Sequence, residues 1–426
     1  MQSLRIQRLG WYTYDWANSA FSTSVVTVFL GPYLTSIASA AAGPDSTSVT
    51  VLGVAIHPGS WYSYCVSLSV LLQVLFLPPI GALVDKSHRK RFALTATALP
   101  GALFTTMLCL ISAEQANFVL GGLFFVLANL FFGASIVVAN SFLADLASER
   151  ERDAVSSRGW AFGYLGGGLL LLGHLLWFNS VESAGEPVGP VVRGVFLTTG
   201  IWWALFTFVS VALLPKVKSG VEHIRAPIRE SFSQFSATLR HMRNYPQTLR
   251  FLVAYVLYNE AIQTVLTMAS VYGAEELNLG MGVLTQAILL VQFVAIGGSL
   301  VFARIAKGVG TRNAIMVGLA GWCFVLVAAF SFVETATHFY VLAAVIAIVM
   351  GGTQALSRSY FSQMIPLGKE AEYFSLYEIS DKGTSWLGPL AFGVALTLSG
   401  SYRWAILSLI LFMIAGMALL LRVRHR

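Results

Sequence analysis

Residues Gly81–Arg91 read GALVDKSHRKR, and this stretch joins two long apolar segments. It begins with a small residue, contains one acid, Asp85, and ends in a run of basic residues. A membrane helix needs about 20 apolar residues, and lysine and arginine concentrate in the loops that stay on the cytoplasmic side. The stretch therefore predicts a tight cytoplasmic turn between two transmembrane helices.

The composition of the whole chain agrees with a membrane location. The chain has 426 residues, of which 56% are hydrophobic and 11% are charged, and its mean hydropathy is +0.71. Soluble globular proteins carry about 25% charged residues, so a soluble globule, a disordered chain and a nucleic-acid binder are excluded. The net charge of +7 is explained by basic loops on the cytoplasmic membrane face.

Twelve apolar runs follow one another along the chain, and they predict twelve transmembrane helices. Their approximate bounds are 11–40, 61–84, 92–112, 118–144, 158–178, 194–214, 248–273, 283–303, 313–333, 339–358, 373–399 and 403–421. If the N-terminus is cytoplasmic, only Arg193 and Arg403 of the 27 lysine and arginine residues fall at the outer ends of helices. This asymmetry supports the count and places both termini in the cytoplasm.

The chain divides into two halves of six predicted helices, 1–214 and 248–426. Between them, apolar side chains in 215–247 recur at spacings of three and four, which predicts an amphipathic helix on the membrane surface. A flexible tether is the alternative. The second half repeats the opening turn as ARIAKGVGTR (303–312). Two parallel six-helix repeats with a solute site between them are typical of transporters, so we predict an all-α, polytopic membrane fold.

The turn resembles the loop signature of the major facilitator superfamily, in which a glycine, an acid and basic residues recur. The matching positions are Gly81, Leu83, Asp85, Lys86, Arg89 and Lys90. His88 replaces a glycine of that signature, and Lys307 stands at the acid position of the second copy, which predicts a weaker contact there.

The acid of this signature has a known task in the superfamily. It latches the cytoplasmic gate against the other half, and the resemblance implies this role for Asp85 and Arg89. Lys86, Lys90 and Arg91 are explained by membrane topology alone.

A narrower resemblance covers most of the chain. The segments that carry it are YDWANSAF (14–21), GWAFGYLGGG (159–168), YNEAIQT (258–264), MASVYGAEEL (268–277), GGTQALSRSYF (351–361) and LYEISDKGTSWLGPLAFG (376–393). They are similar to the "unknown major facilitator" branch, which includes vacuolar amino-acid effluxers linked to autophagy. The resemblance implies a secondary transporter of twelve helices that moves a small polar solute, such as an amino acid, by alternating access.

Glu260 lies about 18 Å inside the predicted seventh helix, near the middle of the bilayer. A charge at that depth costs at least about 2.5–3.5 kcal/mol unless it is paired or hydrated. Asn259 and Gln263 extend the polar patch. We expect Glu260 to line the central cavity and either to carry a coupling proton or to bind a solute ammonium group. A structural hydrogen bond between helices is the alternative.

Asp15 and Asn18 lie three residues apart on one face of the first helix. They either line the cytoplasmic mouth of the cavity or hold a neighbouring helix end. Four further candidates for the cavity wall are the aromatic and amide residues Trp160, Tyr164, Gln354 and Trp386. For the aromatic residues, packing between helices is the alternative.

The predicted eleventh helix carries Glu378, Asp381 and Lys382. Glu378 and Lys382 are four residues apart and are expected to neutralise each other. Asp381 then needs another partner, for which we suggest Arg358 of the tenth helix. The alternative for Arg358 is that it extends to water beyond the helix end.

Other functions fit the sequence less well. A membrane enzyme is disfavoured because no Ser/His/Asp set, HExxH motif or metal-ligand cluster is present, so we expect neither a cofactor nor a metal. A membrane sensor, or a passive facilitator for peptides, sugars or lipid-like solutes, remains an alternative. The expected partners are a small-molecule solute, protons and the lipid bilayer, with the protein as a monomer. The expected location is a bacterial inner membrane, with a vacuolar membrane as the alternative.

Overall fold

The computed structural model of the chain describes most of its length and is almost entirely helical. The described residues are 3–43, 48–51, 53–87, 89–215, 245–382 and 387–423. Within these ranges, eleven helices are long and apolar enough to cross a membrane. The amphipathic helix predicted between the halves falls on residues that lie outside the described ranges.

Ten of the long helices follow the order of the first ten predicted spans. Their bounds are Leu4–Ala42 (α1), Trp61–Ser87 (α2), Lys90–Leu110 (α3), Phe118–Leu146 (α4), Glu149–Ser183 (α5), Gly189–Leu213 (α6), Pro246–Glu275 (α7), Met281–Val309 (α8), Thr311–Ser331 (α9) and Ala336–Ser362 (α10). A short antiparallel hairpin, β1 (Val49–Val51) and β2 (Val54–Ile56), lies between α1 and α2.

Two shorter helices occupy the predicted eleventh span. They are α11 (Glu370–Lys382) and α12 (Leu387–Ser399). The last long helix, α13, covers Tyr402–Leu421. The four residues between α11 and α12, which include Trp386, lie outside the described ranges, as does the side chain of Lys382.

Both ends of the described chain lie at one end of the bundle, which we name the terminal face. At this face, Arg8 in the first turns of α1 lies 2.9 Å from Glu151 at the start of α5. Arg312 at the start of α9 donates to the carbonyl of Val423, just after α13 (2.8 Å). The other end of the bundle is the opposite face.

The first helix is irregular in its middle. Phe21–Phe29 adopts a π-helix, in which the hydroxyl of Thr27 donates to the carbonyl of Ser22, five residues earlier (2.7 Å). His174 of α5 lies against this segment, with Nδ1 3.0 Å from Ser24 Oγ. Because π-helical segments are rare and occur often at functional sites, this part of α1 is a candidate part of the functional site.

The buried apolar side chains form two clusters. One draws on residues 11–214 and the other on 251–423, and each includes one residue of the other half, Ala371 and Tyr164 respectively. These two residues cross over because α11 packs on α2 and α4, whereas α5 packs on α8 and α10. The core is therefore organised as two helical bundles, and the boundaries predicted for the halves stay a prediction.

Glycines allow α5 to approach α1 closely. A Cβ atom at Gly166 would lie 2.6 Å from the backbone oxygen of Trp16, and one at Gly163 would lie 2.7 Å from Ser19 Oγ. Real Cβ atoms do not tolerate such distances, so α1 would have to move away. The close packing of these two helices depends on the absence of side chains at these positions.

This packing predicts different effects of alanine at two glycines of α5. Gly166→Ala should lower the free energy of unfolding by about 1–3 kcal/mol, because the added methyl overpacks the contact with Trp16. At Gly173 a Cβ meets nothing within 4 Å, so Gly173→Ala should be neutral or stabilising by up to about 1 kcal/mol. Thermal unfolding of the purified variants in detergent measures both changes. Equal melting temperatures for the two variants would contradict this packing.

Candidate functional site

Asp85 connects α2 to the start of α11 at the terminal face. Its buried carboxylate accepts two backbone hydrogen bonds, from the N–H of Ala371 (3.0 Å) and of Glu372 (2.8 Å). The first N–H groups of a helix lack partners within the helix, and the positive end of the helix dipole favours an anion. This is the contact that a latch at Asp85 requires, while its role in transport stays a prediction.

Two further residues of the signature support this contact. Gly81 leaves room for α11, because a Cβ atom there would lie 2.5 Å from the carbonyl oxygen of Ala371. The ammonium group of Lys90 lies 2.8 Å from Asp145 Oδ2 and 3.7 Å from Glu370 Oε2. The side chain of Lys90 is only 11% exposed, so membrane topology alone was an insufficient explanation for it.

The remaining basic residues of the signature lie at the edge of this contact. Lys86 is half-buried in the last turn of α2, and Arg89 is exposed just before α3, where its backbone N–H donates to Ser87 Oγ (3.3 Å). The predicted latching role of Arg89 stays a prediction. His88 lies outside the described residues.

Arg358 of α10 reaches across to the other half and forms the charged centre of the interface. Its Nη1 lies 3.1 Å from Asp15 Oδ2, and these side chains are 5% and 13% exposed respectively. It also donates to the hydroxyl and the carbonyl of Ser156 (2.9 and 2.8 Å). The guanidinium carbon lies 4.7 Å from the ring of Trp11 and 5.3 Å from that of Trp160. This arginine joins α1, α5 and α10.

This ion pair decides several of the alternatives. Arg358 does not extend to water, and its pairing with Asp381 was wrong, because Asp381 Oδ1 instead accepts from Tyr255 (2.6 Å) and Asn259 (2.9 Å) of α7. Asp15 contacts Arg358 of α10 in the other half, which is the kind of contact expected of a residue that holds a neighbouring helix, and its place at the cavity mouth stays a prediction.

Asn140 of α4 extends the polar contact towards α11. Its Oδ1 accepts from Arg358 (3.4 Å), and its Nδ2 donates to Glu378 Oε1 (3.3 Å). The predicted pairing of Glu378 with Lys382 cannot be placed, because the lysine side chain lies outside the described ranges. Glu378 nevertheless belongs to the interface between the halves.

One turn before Arg358 on α10, the contact with α5 is made by uncharged side chains. Tyr164 donates to Gln354 Oε1 across the halves (2.9 Å), and its ring lies 5.5 Å from that of Trp160. Five of the predicted residues therefore meet along one line between the halves. They are Asp15, Trp160, Tyr164, Gln354 and Arg358. Asn18 is buried one turn further along α1 than Asp15.

Glu260, Asn259 and Asp381 form a separate group inside the second half. Glu260 is 2% exposed, and its Oε1 accepts the backbone N–H of Gly388 in the first turn of α12 (2.7 Å). Asn259 holds Asp381 near the end of α11, as described above. The contact observed is a hydrogen bond between helices, which was the structural alternative for Glu260. A role of Glu260 in transport stays a prediction. Gln263 is half-buried one turn away.

Sequence reasoning missed a second contact between the halves, at the start of α5. Asp153 accepts hydrogen bonds from the hydroxyls of Thr311 and Ser359 (2.6 Å each). Its neighbour Arg152 donates to the carbonyl of Ser362 at the end of α10 (2.6 Å). Asp153 lies within ERERDAV, whose charges look like an ordinary cytoplasmic loop.

The signal that could have found Asp153 is the acid missing from the second copy of the turn. In the first copy Asp85 is carried by the turn and binds the start of α11. In the second copy Lys307 occupies the acid position, and the acid comes from α5 of the other half to meet Thr311 within that turn. A carboxylate of the first half thus contacts the second half at both turns, from the turn itself in the first copy and from α5 in the second.

The opposite face differs from the closed terminal face. A cavity of about 610 Å³ lies there between α1, α5 and α6 of the first half and α8 of the second. A smaller, mostly apolar cavity of about 190 Å³ is lined mainly by the second half and also by Thr27 of the π-helix in α1, and Gln292 of α8 is another of its polar lining residues. The described polar contacts between the halves therefore lie towards the terminal face, and a cavity lies between the halves at the opposite face.

The family model described as "Vacuole effluxer Atg22 like" matches residues 4–426. The chain belongs to this family.

Two relatives of the family match nearly the whole chain. The uncharacterized MFS-type transporter YxiO of Bacillus subtilis (strain 168) is 29% identical over 99% of this chain and 95% of its own length. Autophagy-related protein 22 of Eremothecium gossypii is 25% identical over 96% of this chain and 88% of its own length. The chain is therefore a multi-pass membrane protein and a transporter of the major facilitator type.

A solved structure shows the same fold. The proton:xylose symporter XylE, a major facilitator protein, superimposes with a TM-score of 0.71 and covers 98% of this chain and 95% of its own, at 10% sequence identity. At this identity the likeness concerns the fold alone. It confirms the predicted architecture of two six-helix bundles.

The ion pair across the interface predicts a thermodynamic coupling between its partners. Asp15→Asn and Arg358→Gln should each lower the free energy of unfolding by about 3–5 kcal/mol, because each leaves a buried charge without a partner. The double variant should lose less free energy of unfolding than the two single variants lose together. Thermal unfolding of the four proteins in detergent measures this coupling. Strictly additive losses would show that the two side chains do not interact.

The second contact predicts that Asp153 keeps the terminal face closed. Asp153→Ala should favour opening of this face by about 1.5–3 kcal/mol, because hydrogen bonds to a charged group are lost. Spin labels at the exposed positions Arg150 and Lys307 report the distance between the halves at this face. The longer distances should gain population in Asp153→Ala but not in the control Glu149→Ala, whose carboxylate is exposed in the same turn. An unchanged distance distribution in Asp153→Ala would show that Asp153 does not keep the terminal face closed.

Proposed function

We propose that this chain is a secondary transporter that moves a small polar solute by alternating access, with amino acids as its first candidate substrates and a proton gradient as its driving force. The observation that carries this proposal is the contrast between the two faces. Polar contacts between the halves close the terminal face, while a cavity of about 610 Å³ separates the halves at the opposite face.

The contacts that close the terminal face are of a kind that can be exchanged. They are ion pairs and hydrogen bonds between helices of different halves, and they include Asp85, Asp15 with Arg358, and Asp153. Water can replace each of these partners when the halves separate, whereas an apolar interface of the same area would oppose separation. This supports a rocking motion that opens the terminal face and closes the other.

The wall between the halves supports a polar solute of modest size. Beyond the ion pair it offers Tyr164 and Gln354, which hydrogen-bond to each other, and Trp160 beside them. Neutral donors and acceptors of this kind suit a solute that carries its own charges, such as an amino acid. The family description "Vacuole effluxer Atg22 like" is consistent with export of a solute.

Proton coupling is proposed for the buried carboxylates. Glu260 is the strongest candidate, because it is buried midway along α7 and binds the first turn of α12, so a change in its charge alters how α12 is held. Glu378 is a second candidate because it lies in the interface. We also propose that the protein works as a monomer with both termini cytoplasmic, in a bacterial inner membrane or a vacuolar membrane.

Uptake into proteoliposomes tests this proposal. Purified wild type should accumulate at least one member of a panel of radiolabelled amino acids when a proton gradient is imposed. Glu260→Gln should lose gradient-driven uptake but keep exchange of the solute across the membrane, because glutamine still accepts the N–H of Gly388 and cannot bind a proton. Glu186→Gln, which alters an exposed acid in the loop before α6, is the matched control and should behave as wild type.

Three results would contradict parts of this proposal. Uptake that ignores the gradient in wild type would make the protein a passive facilitator. Gradient-driven uptake that persists in Glu260→Gln would move proton coupling to another residue. Failure to take up any amino acid would remove that substrate class and direct the search to peptides, sugars and lipid-like solutes.

A further inference from the structure

The cavity at the opposite face, which we name the outer vestibule, combines walls from both halves. The first half supplies α1, α5 and α6, and the second half supplies the start of α8. Its lining includes Phe29, Tyr33, Phe178, Glu182, Thr285 and Gln286. None of them belongs to the residues that close the terminal face.

The outer vestibule has one acid and several aromatic rings in its wall. Among the described lining residues Glu182 is the charged one, and it lies in the last turn of α5. The carbonyl groups that end a helix carry partial negative charge and add to that of the carboxylate. Arg193, which follows the lining residue Val192 on α6, is not part of the wall. Arg193 nevertheless acts electrostatically on the lining residue Tyr33, so the preference for a cation is local to Glu182 and the end of α5.

The aromatic residues strengthen that preference. Phe29 and Phe178 contact each other with their ring centroids 5.7 Å apart, and Tyr33 follows one turn after Phe29 on α1. The face of an aromatic ring is negative, so ammonium groups are bound well by pockets that combine rings with a carboxylate. Thr285 and Gln286 on the facing wall are neutral and do not oppose a cation.

A simpler explanation exists for each residue taken alone. An acid at a helix end is commonly a solvated charge, and aromatic residues gather at membrane interfaces. These explanations do not account for the placement of the rings and the acid together in the wall of the cavity that separates the two halves.

We propose that the outer vestibule is a recruitment site for an ammonium group, in which Glu182 pairs with the cation and the rings of Phe29, Tyr33 and Phe178 surround it. This inference rests on the proposed function, because it assigns the site to the transported solute. A lipid headgroup such as phosphatidylethanolamine carries the same ammonium chemistry, so the test has to separate the two sources.

The test measures the binding of three probes that share one ring. They are phenylalanine, phenethylamine, which lacks the carboxylate, and 3-phenylpropanoate, which lacks the ammonium group. Calorimetry on the full chain in phosphatidylglycerol nanodiscs gives the dissociation constants without a competing lipid ammonium group. Glu182→Gln should weaken phenethylamine and phenylalanine about fivefold, as expected for one partly exposed ion pair, and should leave 3-phenylpropanoate unchanged. Glu186→Gln is the matched control and should change none of the three.

Two variants of the wall complete the test. Phe29→Leu and Phe178→Leu keep an apolar side chain but remove the ring, so they should also weaken phenethylamine while leaving 3-phenylpropanoate unchanged. The proposed site would be overturned if Glu182→Gln left the binding of phenethylamine unchanged, or if it weakened the binding of all three probes equally. If added phosphatidylethanolamine competes with phenethylamine in wild type but not in Glu182→Gln, the site belongs to a lipid headgroup and its assignment to a solute is overturned.

The result is independent of the uptake experiment. Binding is measured without a gradient and without transport, so failure of all amino-acid uptake leaves the probe series intact. A vestibule that binds phenethylamine through Glu182 in a protein that moves no amino acid would support the recruitment site and direct the search to amines. If the protein takes up amino acids but Glu182→Gln has no effect on binding, the proposed transport is supported and the proposed recruitment site is contradicted.

Discussion

The ion pair between Asp15 and Arg358 is the constraint around which the interface of the two halves is arranged. A buried guanidinium group has a large desolvation cost and needs partners for all of its N–H groups. Ser156 and Asn140 supply such partners, and two tryptophan rings contact its faces. Gly159 leaves the space that this arrangement needs, because a Cβ atom there would lie 2.5 Å from Asp15 Oδ2. Helices α1 and α5 therefore meet α10 where they supply the partners that the buried guanidinium group of Arg358 needs.

The eleventh predicted span has two different attachments. Its first part, α11, is bound to the first half through Asp85, Lys90 and Asn140. Its second part, α12, is bound to the second half through Glu260. The helix α7 contacts both parts, since Asn259 holds the end of α11 next to Glu260 on the same turn. A motion that separates the halves at the terminal face therefore acts on α11 differently from α12.

Much of the fold could be predicted because the bilayer imposes length, apolarity and charge asymmetry on every span, and these are visible in one sequence. The contact of Asp85 could be anticipated because a carboxylate at a helix end suits the start of another helix. The partner of Arg358 could not, because the spacing of residues within one helix gives no information on which helix lies opposite. Asp153 was missed for the same reason. The π-helix in α1 is not indicated by apolarity, charge asymmetry or residue spacing.

The two carboxylate contacts at the terminal face differ in how evolution or engineering can adjust them. Asp85 binds backbone N–H groups, which every residue except proline supplies, so its strength is nearly independent of the side chains opposite. Asp153 binds the hydroxyls of Thr311 and Ser359, and a single substitution removes either donor. In the proposed mechanism, substitutions at the second contact would therefore change the free-energy difference between the closed and open terminal face in small steps, while the first contact stays constant. If the halves rock as proposed, this asymmetry would provide one fixed and one adjustable control over the time that the transporter spends in each state.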